Sequence, residues 1–288
     1  MILFIIVFIF ILFFYIHIYH HLKTSNELEV YDIKCTTKEK LDEICDIRQP
    51  VTFRYETGLL RYSIEELCDK YPLFDVYVSR KVDDKDTVPI PLSIVEAVEL
   101  LHTEKEHYTS EDNKDFLEET TLIKEIKMKD ELLRPPLVAK CEYDIMLGNK
   151  GSITPLRYNI EYRKYHYVEK GRVTIKLIPP SYSKYLSQQI NYEKMEFTSP
   201  INPWEVQEEY GNDFGRVKVL EVQLQEGDMI YIPAYWWWSI QYNELSVLNT
   251  CAYMTTANIV SLLPMYFISF LQRSNVKHVV RKTKEVKT

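Results

Sequence analysis

The sequence predicts a mainly β fold with α-helices, a sandwich or barrel of strands flanked by helices and preceded by an N-terminal transmembrane helix. Short strand-like segments separated by turn residues follow one another through residues 141–256. Amphipathic helical segments occupy much of residues 35–140, and residues 2–19 form an uncharged apolar run. The chain has 288 residues, which one such domain and its flanking helices can use completely.

The apolar run is long enough to cross the hydrocarbon core of a bilayer, at about 1.5 Å per residue in a helix. No basic residue precedes the run and no small-residue cleavage pattern follows it, which favours an uncleaved anchor over a signal peptide. We therefore predict a single-pass anchor at residues 1–22 and a polar linker at residues 23–34. The positive charges that follow the run are Lys23, Lys34, Lys38 and Lys40. This flanking charge places the soluble body in the cytoplasm.

The charge of the chain is uneven. Residues 272–288 hold six basic residues and one acidic residue, a net charge of +5 that leaves −12 for the residues before them. An acidic body argues against nucleic acid as a partner, because binding to phosphates needs a basic surface. The basic tail, residues 276–288, is either a solvated end or a contact for anionic lipid. The spacing of the cysteines excludes a disulfide framework and a zinc cluster.

Helical signals dominate the first half of the body. Residues 37–47 have helical spacing, and Ser63 with Glu66 forms a capping-box pattern. Ser93 is a plausible cap for a second amphipathic helix over residues 92–102. Residues 104–115 are polar and predict a loop, and residues 121–133 predict a further helix.

Strand signals follow from residue 143. Residues 158–168 and 172–178 flank Gly171 and predict a hairpin. After the last strand, an apolar helix is expected within residues 257–275. It is too short to span a membrane. We expect it to pack on the barrel, or to bind a second copy of the chain or another protein.

Two segments carry a family signature. Residues 147–159 read LGNKGSITPLRYN and lead to GRVTIKLIPP at residues 171–180, and residues 225–239 read QEGDMIYIPAYWWWS. Together they resemble the JmjC-type, cupin-like 2-oxoglutarate oxygenases, whose corresponding motifs are T-P-x-H-x-D and G-D-x-x-x-I-P-x-x-W-W-H. The resemblance covers about residues 35–275. It implies a double-stranded β-helix, a jelly roll with helices outside.

The resemblance also identifies the metal-site positions, and this sequence departs from the family at each of them. Non-haem Fe(II) needs two imidazoles and one carboxylate on one face. Arg157 and Trp238 stand where the family has histidines, and Asn159 stands where it has aspartate. An arginine is always cationic and cannot ligate iron, and an indole offers only a donor. We therefore expect a degenerate pocket with no metal and no catalytic residue.

The co-substrate positions are altered as well. The family lysine that holds 2-oxoglutarate is replaced by Val173, whereas Thr154 and Asn249 match polar positions that line the family pocket. Thr154 could equally be a turn residue. His166 is the only histidine on a predicted barrel strand, and one imidazole cannot hold iron.

The leading hypothesis is a membrane-anchored, catalytically degenerate domain that binds or scaffolds and needs no cofactor. One alternative is an oxygenase, a hydroxylase or demethylase that uses Fe(II) and 2-oxoglutarate through an unusual ligand set. Another is a structural protein of a viral or organelle membrane, with a large DNA virus as one source. Two states of the pocket remain open. Either Trp238 fills it with Arg157 at the rim, or Arg157 pairs with Asn159 or with a bound carboxylate or phosphate.

Overall fold

Two β-sheets pack against each other in the computed structural model, which describes residues 2–34, 37–60, 62–82, 85–86, 88–102 and 106–274. The strands are β1 Tyr31–Ile33, β2 Val51–Arg54, β3 Asp75–Val82, β4 Lys85–Asp86, β5 Ile90–Ser93, β6 Tyr108–Ser110, β7 Val138–Gly148, β8 Arg157–Tyr158, β9 Arg163–Lys170, β10 Arg172–Ile178, β11 Gln189–Asn191, β12 Glu196–Thr198, β13 Leu220–Gln225, β14 Asp228–Ile232, β15 Trp237–Tyr242 and β16 Ser246–Thr255. The α-helices are α1 Ile2–His17, α2 Lys38–Cys45, α3 Ile64–Lys70, α4 Ile94–Leu101, α5 Lys114–Glu119, α6 Ile123–Lys129, α7 Gly211–Phe214, α8 Thr256–Ser261 and α9 Leu263–Ser274. Short segments of other helix types are the π-helical Ile18–Leu22 and the 3-10 helical Pro180–Tyr185 and Glu208–Tyr210.

The strand order defines a two-layered sandwich. The larger sheet runs β1-β2-β14-β9-β16-β7-β6-β3-β4, with β5 paired to β3. The smaller sheet runs β11-β12-β8-β15-β10-β13. The chain passes repeatedly from one sheet to the other between β7 and β16. The large β-sheets with flanking helices agree with the fold class that the sequence predicts.

The hairpin predicted around Gly171 is wrong. β9 pairs with β14 and β16 in the larger sheet, whereas β10 pairs with β13 and β15 in the smaller one. Gly171, with φ 87°, is the single residue between the two strands. A Cβ at this position would lie 2.4 Å from the Ser246 hydroxyl oxygen. Only glycine accommodates both this backbone conformation and this close approach, and here it marks a change of sheet instead of a hairpin turn.

Two apolar cores lie on the two faces of the larger sheet. The inner core fills the space between the sheets, and the outer core lies between the larger sheet and helices α2 to α6. Successive side chains of a strand point to opposite faces. Along β16, Leu248 therefore belongs to the inner core, while Val247 and Cys251 belong to the outer core.

The predicted caps of α3 and α4 are confirmed. The Ser63 and Ser93 hydroxyls each accept a hydrogen bond from the backbone N–H three residues later, and a glutamate at that position completes each capping box. The predicted linker at residues 23–34 needs correction, because Tyr31–Ile33 form β1, an edge strand parallel to β2. The predicted loop at residues 104–115 contains β6 and the start of α5.

The predicted C-terminal helix is divided at Leu262, which is buried, into α8 and α9. Ser269, Met265 and Tyr266 of α9 are buried or partly buried, and the last two pack against the apolar cluster outside the smaller sheet. The predicted basic tail, residues 276–288, lies outside the described residues.

The N-terminal helix is apolar and exposed along most of its length. Ile2–His20 is long and apolar enough to cross a membrane, a property that a signal sequence shares. Its C-terminal end contacts the body at three points. The His17 Nδ1 atom lies 2.9 Å from the Ser261 carbonyl oxygen, the Tyr19 hydroxyl donates to Asp46 Oδ2 at 3.3 Å, and the His20 ring centre lies 5.6 Å from that of Tyr162.

Candidate functional site

Arg157 and Trp238 are cross-strand neighbours where β8 pairs with β15. The guanidinium carbon of Arg157 lies 4.5 Å from the centre of the Trp238 ring. The Trp238 side chain is completely buried in the inner core. The two positions at which the resemblance implies histidines therefore hold a cation stacked on an indole, an attractive arrangement.

Glu111, in the segment between β6 and α5, neutralises Arg157. Arg157 Nη2 donates a hydrogen bond to Glu111 Oε2, and the two side chains are only 24% and 15% exposed. Burial is the largest single effect and disfavours the charged guanidinium, but the charge and hydrogen bond of Glu111, together with the charge of Asp112, outweigh it and raise the pKa of Arg157 above its ordinary value. The predicted partners of Arg157, Asn159 or a bound acid, are thus corrected, since a carboxylate of the protein itself takes this place.

Asn159 is bound to Trp238 instead. Trp238 Nε1 donates to Asn159 Oδ1 at 2.7 Å, and the Asn159 carbonyl accepts from the Tyr235 N–H at 2.8 Å. The buried indole N–H would otherwise lack an acceptor, which is costly in an apolar interior. Arg157 and Asn159 therefore both contact Trp238, and the three residues form one connected unit.

Two residues of β9 contact the same ring, although both lie outside the two family motifs. The Lys164 ammonium lies 5.3 Å from the centre of the Trp238 ring, and the His166 ring centre lies 4.7 Å from it. Burial lowers the pKa of both side chains, and that of His166 falls well below its ordinary value, so the imidazole is neutral. His166 Nδ1 lies 3.0 Å from the Thr250 hydroxyl. Side chains two residues apart on a strand lie on the same face, so an inward His166 places Lys164 inside as well. This alternation along β9 is the sequence signal that could have identified both residues.

Asp144 of β7 holds the segment that carries Glu111. Its carboxylate accepts the backbone N–H groups of Asp112 at 3.1 Å and of Asn113 at 2.6 Å. Burial, with a further contribution from the Asp112 charge, raises the pKa of Asp144 to about 7. This carboxyl therefore positions the partner of Arg157 and titrates near neutral pH.

The three predicted pocket-lining positions have different environments. Thr154 is buried, and its hydroxyl oxygen accepts a hydrogen bond from the Ile240 N–H of β15 at 2.9 Å. Val173 is buried in the inner core. Asn249 does not line the pocket. Its neighbours on the strand, Leu248 and Thr250, point to the inner core, so Asn249 points to the opposite face, where its amide donates to Glu169 at 2.7 Å. Thr250, one residue further, faces the inner core in its place.

The side chains of Arg157, Asn159 and Trp238 do not fit Fe(II). Arg157 supplies a cation that is already paired, Trp238 supplies a ring and a donor, and Asn159 Oδ1 accepts from the indole. Within the described part of the chain, no cluster of three or more His, Cys, Asp or Glu side chains could hold a metal ion. Val173 offers no charge to a dicarboxylate. The arrangement is a filled pocket with a charged rim, one of the two states that the sequence left open.

Replacing Trp238 tests the filled pocket. We expect Trp238→Ala to lower the free energy of unfolding by about 3–5 kcal/mol, because a large ring leaves the inner core. Trp238→Phe is the matched control. It keeps most of the ring and loses the bond to Asn159, at a cost of about 1 kcal/mol. Denaturant titration of the full chain in detergent measures both values, and a loss below about 1 kcal/mol for Trp238→Ala would place this ring outside the core.

The raised pKa of Asp144 predicts a dependence of stability on pH. The folded chain holds this proton up to about pH 7, whereas the unfolded chain loses it near pH 4. The contribution of Asp144 to the free energy of unfolding therefore decreases as the pH rises from about 4 to about 7, by about 1.4 kcal/mol per pH unit at most. His166 acts in the opposite sense below about pH 6.5, because its neutral form is favoured in the fold. The difference between the wild type and Asp144→Asn, measured from pH 5 to 8, isolates the Asp144 contribution, and parallel curves would contradict the assignment.

Comparison with known proteins agrees with the sandwich. Residues 79–259 match the family described as the cupin-like domain. The matched region is more than half of the chain and includes all strands from β7 to β16. A search of the curated proteins gave no match. The chain belongs to the cupin-like domain family.

Proposed function

We propose that this chain is a membrane-anchored, catalytically degenerate JmjC-type cupin-like protein that acts by binding or scaffolding. The observation that carries the proposal is the Arg157–Glu111 ion pair stacked on Trp238, at the positions where the family has its metal ligands. Function in such folds depends on a small set of residues placed on a common scaffold. Here the scaffold is present and those residues have been replaced.

The topology supports the finer fold assignment. β7, β16, β9 and β14 are neighbours in the larger sheet, and β8, β15, β10 and β13 are neighbours in the smaller one. This interleaving of eight strands is the pattern of a double-stranded β-helix, which the resemblance implies. The site residues on β8, β9 and β15 face the inside of that helix.

The competing proposal is an oxygenase that uses an unusual ligand set. Such an enzyme would need two or three donors other than Arg157, Asn159 and Trp238. His166 is the buried imidazole at this site, and its Nδ1 already contacts Thr250. Two acids near the site, Glu111 and Asp144, bind Arg157 and two backbone N–H groups. These engagements favour the non-enzymatic role.

Metal and co-substrate binding test the proposal directly. We expect anaerobic titration of the full chain in detergent with Fe(II) to give no stoichiometric site, and we expect no iron-dependent succinate from 2-oxoglutarate. A combined variant, Arg157→His, Asn159→Asp and Trp238→His, is the comparator, with circular dichroism as the check on folding. One tight iron per wild-type chain with succinate above the metal-free control would establish the oxygenase instead.

The anchor is tested by extraction. We expect the full chain to keep an intact N-terminus and to stay in the membrane pellet after carbonate treatment. A variant that lacks residues 2–14 and keeps the contacts of His17, Tyr19 and His20 should move to the supernatant, because the apolar length needed to span is lost. A full chain that is cleaved after the apolar helix would identify a signal sequence, and a truncated chain that still resists carbonate would contradict the single anchor.

A further inference from the structure

An apolar stripe runs along the outer side of α9. Leu263, Phe267 and Leu271 follow one another at intervals of four residues, so they share one side of the helix. They are 50%, 62% and 49% exposed. The opposite side, with Met265 and Ser269, is turned to the body. The helix therefore directs large apolar side chains away from the protein, which marks an interaction surface.

This stripe begins next to the point where α1 contacts the body. The contact of His17 with the Ser261 carbonyl lies at the last residue of α8, and α9 starts two residues later, at Leu263. Further contacts of Tyr19 and His20 hold the same end of the apolar helix. A bilayer crossed by α1 must therefore meet the body close to the start of α9.

The charge pattern of α9 fits an anionic lipid surface. The helix contains no acidic residue, and Arg273 lies in its last turn. The sequence from residue 272 onward has a net charge of +5, although the body is acidic. Basic residues beside an apolar helical face are the combination that binds at the boundary between lipid headgroups and acyl chains.

We propose that α9 is an interfacial helix, whose Leu263–Phe267–Leu271 stripe is inserted in the anionic leaflet that α1 crosses. The proposal rests on the membrane anchor of the proposed function. A second copy of the chain is the less favoured occupant. The twelve residues of α9 extend over about 18 Å, and a dimer formed through this strip alone would leave α1 exposed. A bilayer covers both apolar surfaces together.

Photocrosslinking in the full chain tests this placement. The photoreactive residue p-benzoylphenylalanine is placed at Phe267, at Phe8 in α1 or at Leu73, an 87% exposed residue between α3 and β3. Each protein is reconstituted in vesicles of phosphatidylcholine and phosphatidylserine, and lipid adducts are measured by mass spectrometry. We expect adducts at Phe8 and Phe267, each about tenfold above the yield at Leu73, because only buried positions reach acyl chains.

The three positions separate the possible failures. Lipid adducts at Phe8 without adducts at Phe267 would overturn the interfacial helix and leave the anchor in place. Adducts at neither position would overturn the anchor itself, and the inference with it. A crosslinked dimer through Phe267 would identify a second copy as the occupant and would also overturn the proposal.

Discussion

The buried positive charge of Arg157 is the constraint on which the candidate site depends. An unpaired charge in this position would cost several kcal/mol, and an arginine cannot escape the cost by losing its proton. Glu111 supplies the opposite charge and Trp238 supplies a polarisable face. Asp144 in turn holds the segment of Glu111 through the N–H groups of Asp112 and Asn113. One charge therefore determines the path of the chain between β6 and α5 and the contents of the pocket.

The end of α1 is connected to the body by side-chain contacts as well as by the chain itself. His17 contacts Ser261, and Tyr19 and His20 contact Asp46 and Tyr162, which are themselves joined by a hydrogen bond of 2.9 Å. A helix attached only through a flexible segment would leave the body free to rotate. These contacts hold the end of α1 against the body, close to the start of α9.

Features that depend on local patterns were predictable from the sequence. The caps at Ser63 and Ser93 need only residues three positions apart, and the cluster of Arg157, Asn159 and Trp238 was found from two short motifs. Features that depend on tertiary contacts were not. Glu111 lies 46 residues before Arg157 in a polar segment without a local signal. A glycine such as Gly171 is compatible with a hairpin and with a change of sheet. Asn249 was predicted to line the pocket, whereas Thr250 faces the inner core, because a shift of one residue moves a side chain to the other face of a strand.

The pairing of β7 with β16 has a consequence for the order in which the domain can form. Gly148 of β7 is opposite Ser246 of β16, so the centre of the larger sheet joins segments about 100 residues apart in the chain. The ribosome makes β7 well before β16. Until β16 emerges, Tyr143 and Ile145 of β7 lack the strand that completes their layer of the outer core. The nascent chain must therefore wait with an incomplete sheet, and the centre of the larger sheet can close only after residues 246–255 have been made.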